Sequence, residues 1–157
     1  FNGGVSVLVQ AEESNGFVPT IDAIKAAVSS KTKAIILNSP SNPCGGVYSE
    51  ADVRAIAKLA CEHDFYIVSD EIYEELLYDG NRHFSSAQVS DEVKERTVIV
   101  NGFSKAYAMT GWRLGYTASS TQLAKMRGRL PSHATSNPNA IAQYAGAGAL
   151  KGPPDEL

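Results

Sequence analysis

Cysteine is scarce in this chain: of 157 residues only Cys44 and Cys61 are cysteines, and no CxxC spacing occurs. That scarcity argues against a disulfide framework or a cysteine-based metal site, and two free thiols predict a reducing, cytoplasmic setting. Long apolar runs are also missing, and stretches such as "AIIL" at 34–37 are far too short to cross a bilayer. A basic excess is absent as well. With 14 basic and 17 acidic residues the net charge is -3, which gives neither nucleic acid nor a membrane surface an electrostatic reason to bind. No stretch with a basic start and apolar middle marks an export signal. The chain opens on "FNGG" without methionine and stops at "GPPDEL", which predicts a segment of a longer protein.

What is present is the composition of an ordinary globular chain, 43% hydrophobic and 20% charged. A chain of this size can bury roughly 70% of its unfolded surface in one domain, or in one piece of a larger one. Its pattern alternates. "VSVLV" at 5–9 reads as a short buried strand, and "TIDAIKAAVSS" has helical apolar spacing with Thr20 as its cap. "KAIILN" at 33–38 is a second strand, running into the turn-forming "SPSNPCGG". A helix follows: Ser49 and Asp52 form a capping-box pattern, and Val53, Ile56, Ala57 and Ala60 share one face.

"FYIVSD" at 65–70, "TVIVNG" at 97–102 and "RLGYTAS" at 113–119 read as further strands, and "NPNAIAQYAGAGALKG" as a helix stopped by Gly152 and Pro153. Apolar strands alternating with helices predict the α/β class, a mostly parallel sheet with helices on both faces.

In open α/β sheets, ligands bind beyond the carboxyl ends of the strands. Those ends deliver Asn42, then Asp70 and Tyr73, then Ser104 and Lys105, with Arg113 eight residues after the lysine. An amide, a carboxylate, a phenol and an amine suit a cofactor with a phenolic oxygen, a ring nitrogen and an aldehyde, as in pyridoxal 5'-phosphate. The lysine amine would form a Schiff base, the acid would keep the ring nitrogen protonated, and the guanidinium fork could meet the phosphate. Each residue also has an ordinary reading. Lys105 suits a solvated loop, Asp70 a helix cap, Asn42 a turn, Tyr73 half-buried packing and Arg113 a surface ion pair. His63, His83 and His133 read as surface or loop residues without a catalytic role.

"NSPSNPCGG", "VSDEIYEELLYDG" and "SKAYAMTGWRLGY" resemble, in order and separation, the motifs of class I aminotransferases related to aspartate aminotransferase, which are fold-type-I pyridoxal-phosphate enzymes. "SHATSNPNAIAQYAGAGAL" resembles the segment that follows in the bacterial-type branch, so the likeness spans essentially the whole chain. The resemblance implies that Lys105 is the Schiff-base lysine and proton carrier and that Asp70 pairs with the pyridinium nitrogen. It implies that Asn42 and Tyr73 hydrogen-bond the phenolic oxygen, that Arg113 binds the phosphate, and that Ser104 adds a hydroxyl there.

It further implies transamination between amino-acid and 2-oxo-acid substrates, a homodimer, and a chain that is the middle of the large domain. The N-terminal portion and the C-terminal small domain, with its carboxylate-binding arginine, would lie outside 1–157. Cys44 stands where the family usually has threonine, and Gly102 where many relatives have a phosphate-contacting serine. A lyase or synthase on the same scaffold, or a non-catalytic regulatory module, remains open as an alternative.

Overall fold

The computed structural model describes residues 3–129 and 137–152. Its first helix, α1 (Ile21–Ala27), starts where Thr20 Oγ1 accepts the Ala23 N–H at 3.2 Å, so the polar side chain satisfies a donor that the helix itself cannot. Strand β1 (Ala34–Asn38) leads through a turn into α2 (Glu50–Glu62). At the start of α2 Ser49 Oγ accepts the Asp52 N–H at 3.2 Å and the Asp52 carboxylate accepts the Ser49 N–H at 3.1 Å. The expected capping box is therefore present, with aspartate in the place glutamate usually takes.

Next come β2 (Tyr66–Asp70), α3 (Asp91–Glu95), β3 (Thr97–Gly102) and β4 (Gly115–Ser119). Helices α4 (Thr121–Gly128) and α5 (Ala140–Ala149) follow. The strands form one sheet in the order β1-β2-β3-β4, parallel for the first two pairings and antiparallel between β3 and β4. In register, Asn38 lies opposite Asp70 and Asp70 opposite Val100, so β1, β2 and β3 end at one edge.

Alternation along the strands sets the layers. Leu37 and Ile67 point to one face, where they join Ile24 of α1, Ile56, Ala57, Leu59 and Ala60 of α2, Phe65 and Val93 in the main core. Burying each large member contributes about 1.5–3 kcal/mol, which is why α2 holds so firmly to this face. The opposite face of β1 and β2 presents Ile36 and Tyr66, and Ile36 is 75% exposed. Farther along, Gly146 of α5 packs directly against Phe103 and Leu114.

The α/β architecture expected from the alternating pattern is present, with one correction. Residues 5–9 form no strand, and Val5 and Leu8 are 88% and 92% exposed. An apolar run becomes a strand only when its backbone donors and acceptors find a ladder partner, and among the described residues none pairs with this one. α5 ends at Ala149, short of the Gly152 stop expected from the sequence; Pro153 and His133 lie outside the described residues.

Candidate active site

The edge where β1, β2 and β3 end carries the polar residues singled out above. Asn38, the last residue of β1, joins two segments: its Oδ1 accepts the Asn42 N–H at 3.0 Å and its Nδ2 donates to the Asp70 carbonyl at 3.4 Å. The turn beyond it closes on itself, with Ser41 N–H donating to the Gly46 carbonyl and Gly45 N–H to the Ser41 carbonyl, each at 2.9 Å. Both prolyl bonds of the turn, Ser39–Pro40 and Asn42–Pro43, are cis. Gly46 permits close approach of another loop, because a Cβ there would lie 2.9 Å from the carbonyl oxygens of Gly16 and Phe17.

At the end of β2, the half-buried Asp70 accepts the Ile72 N–H on Oδ1 at 3.3 Å, a local contact that shapes the turn toward Tyr73. That turn brings the phenol to the first segment: Asn42 Nδ2 donates to the Tyr73 hydroxyl oxygen at 2.8 Å. From the third segment, Lys105 Nζ stands 5.3 Å from the centroid of the Tyr73 ring, within cation–π range. Asn42, Tyr73 and Lys105, from three different strand ends, therefore form one contiguous group.

The loop after β3 is folded back by short-range bonds, Ala108 N–H to the Lys105 carbonyl at 3.1 Å and Met109 N–H to the Phe103 carbonyl at 3.2 Å. Buried Phe103 anchors it against Tyr107 and Tyr116, with ring centroids 5.4 and 5.7 Å away. Ser104 is half-buried beside Lys105. Gly102 lies opposite Gly115 in the β3–β4 pairing, and a Cβ there would come within 3.1 Å of the Gly115 Cα and the Leu114 carbonyl oxygen. The missing side chain at 102 thus has a packing reason in this chain. Arg113 sits at φ +51°, donates Nη1–H to the Thr110 carbonyl at 2.9 Å, and opens onto a cleft lined by Gly111, Trp112, Asn139 and Ala142.

Behind the Asp70–Tyr73 turn lies a polar group that the sequence reading missed. Glu71 is 2% exposed; its Oε1 accepts from the Ser69 hydroxyl at 2.8 Å and the Ser85 hydroxyl at 2.7 Å. His83 Nε2 stands 3.2 Å from Glu71 Oε2 and 4.0 Å from Glu74 Oε2. His83 does lie in a loop, but its side chain is only 14% exposed, which corrects the surface reading. Burial opposes ionisation of Glu71, yet the hydrogen bonds from His83, Ser85 and Ser69 prevail and lower its pKa. For Glu74, burial and the Glu71 charge outweigh the hydrogen bond from Asn101 Nδ2, and its pKa rises. A lone histidine shortly after the acid-rich "DEIYEE" is the one sequence signal that pointed here.

Comparison with known proteins places the whole chain in one family. The family described as aminotransferase class I and II matches residues 1–157. Aspartate aminotransferase of Bacillus subtilis is 50% identical over 155 residues, covering 99% of this chain and 39% of that protein. Aspartate/prephenate aminotransferase of Thermus thermophilus is 47% identical over 150 residues, covering 96% of this chain and 38% of that protein. Among solved structures, aspartate aminotransferase from Thermus thermophilus with maleate superposes with a TM-score of 0.89 at 47% identity, over 95% of this chain and 38% of that one. Aromatic aminotransferase from Pyrococcus horikoshii superposes at 0.88 with 42% identity, over 93% and 39%.

The sheet and its polar edge thus define an α/β domain of the fold-type-I class. The chain belongs to the aminotransferase class I and II family. It spans about 39% of the length of the Bacillus subtilis relative.

Proposed function

We propose that this chain is the central part of the large domain of a pyridoxal-phosphate-dependent aminotransferase, which moves an amino group between an amino acid and a 2-oxo acid. The single observation that carries the reading is the hydrogen bond from Asn42 to the Tyr73 hydroxyl, with Lys105 over the same ring. Because the Tyr73 oxygen accepts from Asn42, its own proton is directed to another acceptor, and a phenolic oxygen of pyridoxal phosphate supplies one. The donor set therefore fits the cofactor. When bound, pyridoxal phosphate supplies an aldehyde that takes up an amine and a ring that accepts electrons from the substrate's α carbon.

The chain's own residues divide the remaining work. Asn42 and Tyr73 orient the ring through its phenolic oxygen, and Asp70 holds a proton on the ring nitrogen. Arg113, helped by Ser104, would bind the phosphate. Lys105 would hold the cofactor through its amine and would serve as the base that carries a proton from the substrate's α carbon.

Val5, Leu8, Ile36, Ile141 and Tyr144 are each more than two-thirds exposed, and these are side chains that a larger assembly would cover. A longer subunit and a homodimer would supply that cover. Among the described residues no helix is long and apolar enough to cross a membrane. The relatives named aspartate aminotransferase make aspartate the first donor to try. Incubating the full-length protein with pyridoxal phosphate, aspartate and 2-oxoglutarate tests the proposal: a new amino acid appearing in step with oxaloacetate supports it. With cystathionine, whose β carbon carries a thiolate leaving group, in place of aspartate, release of that thiol with pyruvate and ammonia and no exchange of the amino group would instead establish a lyase.

A further inference from the structure

Asp70 and Tyr73 flank a residue that faces away from the Asn42–Tyr73–Lys105 group and into the protein. Glu71 donates its backbone N–H to the Val100 carbonyl at 2.9 Å and buries its carboxylate among Ser69, Ser85 and His83. His83 Nε2 approaches Glu71 Oε2 at 3.2 Å, a charge-assisted contact between a buried carboxylate and a nearly buried imidazole. Glu74 completes the arrangement: one oxygen accepts from Asn101 near the end of β3, and the other faces His83 at 4.0 Å. One imidazole therefore sits between two carboxylates that tie the turn to β2, to β3 and to the loop at 83–85. Removing either partner leaves the other without its nearest counter-charge in a buried setting, which is unfavourable.

We propose that Glu71, paired with His83, is a positioning residue of the active site: the buried charge pair fixes the turn that presents Asp70 and Tyr73. The inference rests on the cofactor-site reading above. It adds a dependence on pH whose origin lies outside the cofactor contacts. Glu71, Glu74 and Glu75 face His83 from the turn after β2, and Tyr116 of β4 has its own pKa raised by burial and by Glu74, Tyr107 and Glu71. Burial opposes the charged imidazole, but the hydrogen bond and charge of Glu71, with the charges of Glu74 and Glu75, prevail and raise His83 above 6.5.

The signs follow from linkage. A raised histidine contributes stability that is complete below pH 6.5 and is lost as pH climbs through its folded-state value. A lowered glutamate contributes stability that is complete above pH 4.5 and is lost as pH falls through its folded-state value. The pair therefore holds the turn best between pH 4.5 and 6.5, and the alkaline loss is the one that reaches the neutral range.

The test uses the full-length protein and its Glu71→Gln, His83→Asn and doubly substituted forms, titrated with pyridoxal phosphate from pH 6 to 9 beside melting curves of the cofactor-free proteins. Each single change is expected to weaken cofactor affinity about tenfold at pH 6, the size expected for uncoupling a contacting pair. Each should also flatten the alkaline decline of affinity expected of the parent, and the double form should bind no worse than either single one. Lower melting temperatures with an unchanged profile of affinity against pH would overturn the inference, leaving the pair a structural one. A Lys105→Ala control separates the two readings. A cofactor absorbance band that survives that substitution means the site reading has failed, whereas an unchanged profile in a protein whose band does need Lys105 means only the present inference has.

Discussion

Asn42 and Tyr73 come from turns 31 residues apart, yet the Asn42 amide donates to the Tyr73 hydroxyl at 2.8 Å. The contact joins the end of β1 to the end of β2 without passing through the sheet hydrogen bonds, so it fixes two side chains that the strands alone would leave independent. In the proposed mechanism these two share one acceptor on the cofactor. Tyr73→Phe and Asn42→Ala should therefore be non-additive, with a coupling of about 1 kcal/mol in cofactor affinity from a double-mutant cycle. Additive losses would show that the two side chains act separately.

Gly46 tests the scaffold under that pair. A Cβ at this position meets two backbone oxygens, of Gly16 and Phe17, and backbone cannot rotate out of the way as a side-chain tip can. Gly46→Ala should cost about 1–3 kcal/mol in denaturant unfolding, and the Asn42 turn should weaken with it. An unchanged midpoint would mean that the loop at 16–17 moves freely.

The start of α2 supplies a contrast, because among the described residues the side-chain hydrogen bonds of Ser49 and Asp52 run only between those two. Ser49 and Asp52 each satisfy a backbone donor of the other, and Ser49→Ala should cost about 1 kcal/mol of stability. Cofactor absorbance at saturation should stay the same in that variant. A spectral change would mean that the helix communicates with the site by a route other than packing.

In the core, Ile56 is fully enclosed between α2 and the sheet, and Ile56→Ala should cost about 2–5 kcal/mol by thermal or chemical unfolding. A loss below 1 kcal/mol would mean that the surrounding side chains collapse into the space.

Most of this architecture was legible from local rules. Thr20 and the Ser49–Asp52 pair announced their helices because capping needs particular side chains at particular spacings. β1, β2 and β3 showed as apolar runs even though one face of β1 and β2 leaves Ile36 and Tyr66 exposed. The run at 5–9 misled because apolar character records what a segment can bury against, and the pairing partner is decided elsewhere. Asn42, Tyr73 and Lys105 were found by the rule that strand ends carry function, and their contacts needed three-dimensional closure to appear. Glu71 and His83 were hidden because a charged residue in a single sequence reads as solvent-exposed until its partner is seen.

The central claim is that Lys105 is the amine that holds pyridoxal phosphate. The most direct measurement is the visible absorption spectrum of full-length Lys105→Ala mixed with pyridoxal phosphate, beside the parent protein, before and after dialysis. The proposal predicts a band in the parent that survives dialysis and is missing from the variant, with comparable melting temperatures for the two cofactor-free proteins. An equally retained band in the variant would contradict it.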